Sequence, residues 1–126
     1  MKIRIKDNFI RFRVAQKEVE VLQEEKKLLR EVEFGNTFPS FQYGIEISSS
    51  IHELQVSYRE HTILVHIPED TANQWLTTDQ VGFEHTISLA NEKSLLVLIE
   101  KDFQCLHKRP HEDESDNFPH PLKDQP

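Results

Sequence analysis

Basic and apolar residues alternate at the start of the chain. Lys2-Ile3-Arg4-Ile5-Lys6 is one such run, Ile10-Arg11-Phe12-Arg13-Val14 is the next, and Asp7-Asn8 lies between them. A period of two puts one face of a strand in the core and the other in water. A short polar turn between two such strands predicts a hairpin. Ile3, Ile5, Ile10, Phe12 and Val14 then point inward, and Lys2, Arg4, Lys6, Arg11 and Arg13 form a basic outer face.

From Ala15 the period changes. Ala15, Val19, Leu22 and Leu29 recur at helical spacing among Lys, Glu and Gln, which predicts a helix over 15–29. Glu18 suits the third position of a capping box, but Ala15 supplies no side-chain acceptor. Short strands are expected at 32–34 and 41–47. A hairpin follows from 53–58 and 62–67, then a short helix over 69–76 with Ala72, Trp75 and Leu76 inward. Strands at 81–89 and 94–101 complete the pattern. Leu95-Leu-Val-Leu-Ile99 does not alternate, so this strand is expected to be covered on both faces.

The order is β-β-α-β-β-β-β-α-β-β, with connections too short for repeated βαβ crossovers. The reading is a two-layer α+β domain over 1–103. A bent, mainly antiparallel sheet carries one long and one short helix, and no internal repeat stands out. Residues 104–126 show no periodicity and contain Pro110, Pro119, Pro121 and Pro126. They read as an extended arm, partly docked on the domain through Phe118 and Leu122.

Composition narrows the class. The chain has 126 residues, 37% hydrophobic and 29% charged, and a single cysteine. That suits one domain with its own core and no internal disulfide. No basic stretch leads into a secretory apolar segment, and the longest apolar run is too short to span a bilayer. A cytoplasmic, non-membrane protein is expected. The net charge of -7 is unevenly divided. Residues 1–30 carry nine Lys or Arg against five Asp or Glu, and the remainder six against seventeen. The overall field opposes nucleic acid. The basic hairpin instead suits the acidic remainder, within one chain or across a homodimer.

Candidate chemistry is sparse. Cys105, His107, His111 and His120 are zinc-ligand types, with Glu112, Asp113, Glu114 and Asp116 nearby. Their spacing fits neither a zinc-finger nor a calcium loop, so they are weak metal candidates. Cys105 beside His107 lacks an oxyanion signature. Glu84 with His85, or Glu46 with His66 on adjacent strands, has the elements of acid–base chemistry; solvated or cross-strand pairs are the commoner outcome. There is no phosphate-cradling loop, dinucleotide fingerprint or serine elbow. Neither a cofactor nor a catalytic residue is assigned. A non-enzymatic protein-interaction or structural module fits best, with Trp75 and the first hairpin as candidate contacts. The alternative is a small enzyme or metal-dependent binding protein using the C-terminal Cys/His/acid segment.

The opening Met1–Val14, with Glu18-Val19, resembles a family of short uncharacterised bacterial proteins. So does the close from Phe103 through Cys105, the acids and Phe118-Pro119 to Pro121. That family carries Thr or Ser where this chain has Ala15, a difference that bears on helix capping. The resemblance implies no activity and no site residue. It implies that the acidic tail is part of the protein.

Overall fold

The computed structural model describes residues 1–103. Its elements run β1 (Lys2–Lys6), β2 (Phe9–Val14), α1 (Gln16–Glu25), β3 (Lys27–Val32) and β4 (Phe41–Ser48). They continue with β5 (Gln55–Arg59), β6 (Thr62–Pro68), α2 (Glu69–Thr77), β7 (Gly82–Ser88) and β8 (Ser94–Lys101). The order is the expected one. The arrangement is not.

The single bent, mainly antiparallel sheet is replaced by two four-stranded sheets, neither closed nor strongly curled. Sheet A has the order β1-β2-β8-β7 and sheet B the order β3-β4-β6-β5. Each consists of two antiparallel hairpins joined through a parallel central pair, β2 with β8 and β4 with β6. The first and last hairpins of the chain therefore share sheet A, and the two middle hairpins share sheet B. After β2, helix α1 carries the chain to sheet B, and after β6, helix α2 carries it back. Local patterning reports hairpins but not which hairpin meets which, so the split escapes it.

The chain is a tandem of two β-β-α-β-β halves, contrary to the expectation of no repeat. One constant shift carries β1 and β2 onto β5 and β6, and the N-cap Ala15 onto the N-cap Pro68. It also carries Phe12, Val14 and Leu22 onto Val65, Ile67 and Trp75, all essentially without exposure. Hydrogen bonds repeat as well. Gln42 N–H donates to the His61 carbonyl and Leu96 N–H to that of Asn8, each at 2.9 Å. Ile47 N–H donates to Lys26 and Lys101 N–H to Val81, each at 2.8 Å. The halves are hard to match by sequence because the repeated property is burial, not residue identity.

Helix α1 is shorter than expected. Lys26 adopts φ 63°, its N–H donates to the Leu22 carbonyl, and the next residue enters β3. Leu29 is consequently a strand residue, 37% exposed, and not part of the helical stripe. Val19 packs on the core and Leu22 lies within it. The inward residues of both sheets meet there: Phe12, Val97 and Ile99 from A, Ile45, Val65 and Ile67 from B. Of the expected inward residues of the first hairpin, Ile5 is the exception at 55% exposed, because β1 is an edge strand.

Candidate functional site

Parallel pairing of β4 with β6 sets Glu46 beside His66, and β5 brings up Ser57 diagonally. All three project from the outer face of sheet B, since they alternate with the core residues Ile45 and Val65. Ser57 Oγ lies 3.0 Å from His66 Nε2, and His66 Nδ1 lies 3.3 Å from Glu46 Oε1. Lys27 Nζ approaches the other carboxylate oxygen of Glu46 at 3.7 Å. The expectation that Glu46 and His66 meet if their strands adjoin is met, and Ser57 is the member that sequence reasoning missed. Its signal is weak, because a serine in a strand is ordinary and only the register reveals it. The sequence of groups is hydroxyl, imidazole, carboxylate, an arrangement able to pass a proton from Ser57 toward His66. Acyl transfer also needs oxyanion donors and a substrate cleft. Three hollows among the described residues, one beside α1, one on the first hairpin and one beside β5 and β7, are not lined by Ser57, His66 or Glu46.

The equivalent place in sheet A is ionic. Glu100 corresponds to Glu46 and Arg13 to His66 through the same parallel pairing. Arg11 Nε donates to Glu100 Oε1 at 2.8 Å and its terminal nitrogen closes on the same oxygen. Arg13 reaches that carboxylate at 3.4 Å. Two residues of the expected basic face thus hold an acid of the sheet. Lys2 pairs with Asp102 at 2.8 Å. Glu84 and His85, on consecutive positions of β7, point to opposite faces of sheet A and share no site.

A third cluster ties the two sheets together through the first half of the chain. The Glu18 side chain accepts from the Ala15 N–H at 3.0 Å, from the Arg30 guanidinium at 2.8 Å, and from the N-terminal ammonium. Glu18 therefore does half of what a capping box does, as its position after Ala15 suggested. Burial pushes its carboxyl up, but the ammonium and backbone hydrogen bonds, with the charges of the ammonium and Arg30, outweigh burial and hold it below the usual value. Tyr43 Oη donates to the Met1 carbonyl at 3.1 Å across the same seam.

Trp75 is a core residue. It is fully buried, its indole N–H donates to the Val81 carbonyl at 3.1 Å, and its ring meets Phe83 edge-on at 5.6 Å. It is not available as a contact anchor. The metal candidates Cys105, His107, His111 and His120, and the anchors Phe118 and Leu122, lie outside the described residues. Among the described residues no cluster of three or more His, Cys, Asp or Glu is placed to hold a metal ion. No helix among them is long and apolar enough to cross a membrane.

The apolar surface concentrates elsewhere. Edge strand β3 and the loop after it expose Leu29, Val32, Phe34 and Phe38, the last two at 58% and 66%. Among the described residues β3 pairs only with β4, so no described strand lies along its outer backbone edge.

The fold and these surfaces define a two-sheet α+β protein built from a β-β-α-β-β tandem, with a basic N-terminal hairpin. The chain matches a family of unknown function (DUF7009) over residues 1–122, and it belongs to that family. Searches of curated proteins and of solved structures returned no match.

Proposed function

We propose that this protein is a non-enzymatic interaction module that self-associates as a homodimer through strand β3, in the cytoplasm of a bacterium. The observation that supports the reading is the exposed apolar edge: Leu29, Val32, Phe34 and Phe38 lie within ten positions on β3 and the loop after it, and among the described residues no strand pairs with the outer side of β3. An uncovered edge with apolar side chains invites a further strand, and burying two phenylalanines supplies the anchor that such contacts need. The acidic net charge argues against a nucleic-acid partner. Sedimentation of the full chain at micromolar concentration tests this. A dimer is expected, and Phe34→Ser with Phe38→Ser should return the mass to that of a monomer with unchanged circular dichroism. A monomeric parent chain would remove the proposal.

The Ser57–His66–Glu46 arrangement favours one second reading, a metal-free hydrolytic or acid–base activity on sheet B. It ranks lower because the relay has a proton path but borders none of the three hollows described above. Labelling by a fluorophosphonate that depends on both Ser57 and His66 would reverse the ranking.

A further inference from the structure

The centre of the outer face of sheet A, on β2 and β8, is buried, and sheet B supplies the standard against which that burial is unexpected. Alternation turns Arg4, Arg11, Arg13, Leu98 and Glu100 away from Phe12 and Ile99. The shared core lies on the other side, where Phe12, Val14, Val97 and Ile99 meet Leu22, Ile45, Val65 and Trp75. A side chain on an uncovered outer face keeps much of its water contact. Arg11 is nonetheless 3% exposed and Leu98 5%.

The tandem makes the comparison internal. The Glu46 side chain on the outer face of sheet B is 36% exposed, whereas its counterpart Glu100 is 11% exposed. Arg11 and Arg13, which hold the Glu100 carboxylate, account for part of the difference; the burial of Arg11 and Leu98 themselves is the larger observation. Beside Glu46 on the edge strand stands Lys27, but beside Glu100 stands Gly82, which offers no cover.

We propose that the outer face of sheet A is the seat of the chain's own C-terminal segment, residues 104–126, with its acids on the arginines and Phe118 on the apolar strip of Phe9, Leu96 and Leu98. The exit point fits. Strand β8 ends at Lys101, the Asp102 N–H donates to the Val14 carbonyl, and the Asp102 carboxylate pairs with Lys2 on the basic row. A chain turning back from there meets Lys2 and Arg13, then Arg4 and Arg11, and last Phe9 and Leu96. The segment presents its groups in the matching order. Glu112, Asp113, Glu114 and Asp116 come first and Phe118 follows, with no Lys or Arg between Pro110 and Leu122. Extended chain at roughly 3.3 Å per residue lets this stretch reach across a sheet whose strands are about 4.8 Å apart. The prolines reduce the freedom lost on docking. Exposed ion pairs contribute little each, so Phe118 supplies the hold and the charges the register.

The test is zero-length carbodiimide crosslinking of the full chain at low concentration, with peptides of the monomeric fraction mapped by mass spectrometry. Lys2 or Lys6 should join Glu112, Asp113, Glu114 or Asp116. Arg4→Glu should lower that yield by about fivefold or more, the equivalent of losing one good contact. Lys17→Glu on α1 should leave it unchanged, and Phe118→Ala, a variant that leaves sheet A untouched, should lower it as Arg4→Glu does. Equal linking to Lys17 or Lys27, links confined to a dimeric fraction, or indifference to both Arg4→Glu and Phe118→Ala would overturn the proposal.

Discussion

At the residue scale, Glu18 carries more of the structure than any other charged side chain described. It caps α1, holds the N-terminal ammonium and anchors Arg30 from the neighbouring sheet. Its carboxyl is depressed in the folded state. The stabilisation it gives is therefore complete above the unfolded carboxylate value of about 4.3, and is lost as pH falls through the lower folded value. Glu18→Gln should cost about 1–3 kcal/mol in urea unfolding at pH 7. The gap between parent and variant should close on acidification below about pH 4. A gap that persists at pH 3 would show that the carboxylate charge is not what matters. Leu22 and Trp75 occupy equivalent core places, one in each half. Leu22→Ala should cost about 2–5 kcal/mol and Trp75→Ala about 3–5, both read by the same unfolding experiment.

At the scale of elements, the turns decide where strands and helices stop. Lys26 ends α1 in the left-handed region, where a side chain is strained and glycine is not. Lys26→Gly should raise stability by about 0.5–1 kcal/mol in chemical denaturation. A loss would mean that the Lys26 side chain holds the turn. This position also shows what the sequence could and could not tell. The period-two hairpins, the short second helix and the ten-element order were all legible, because each is written in local alternation. Nothing in the run Glu25-Lys26-Lys27-Leu28-Leu29 marks a boundary, since every residue there is a good helix former and no glycine appears. The first half of β3, residues 27–29, therefore reads as helix in the sequence, which conceals most of the β3 edge on which the proposed contact rests. Gly44, like Gly82, is a strand glycine whose need was equally silent. A Cβ there would strike the Leu28 carbonyl on β3, a constraint visible only once the strands are paired. The Ser57–His66–Glu46 alignment was half legible, as two residue types awaiting a register.

At the scale of the whole molecule, neither half owns a sheet. Sheet A takes its first hairpin from the N-terminal half and its second from the C-terminal half, and sheet B does the reverse. Chains 1–51 and 52–126, made separately, should each lack a cooperative unfolding transition. Mixed in equal amounts, they should recover the circular dichroism and a sigmoidal transition of the parent. A half that folds alone would contradict the exchange of hairpins between sheets. Fixing such partners in one chain has an evident benefit, since the β2–β8 pair joins residues as far apart in sequence as Arg13 and Glu100 and forms at a high entropic cost.

That parallel pairing has a consequence for the order in which the protein can be made. Sheet B has all four strands once residue 68 has left the ribosome, whereas sheet A must wait for residue 101. Until then the β1–β2 hairpin, made before the other three, waits with the inner edge of β2 open and its Phe12 uncovered. A hairpin synthesised early is thus among the last to find its place. Messages interrupted before Ser94 would leave that edge permanently exposed, and such products should self-aggregate or be removed by proteolysis.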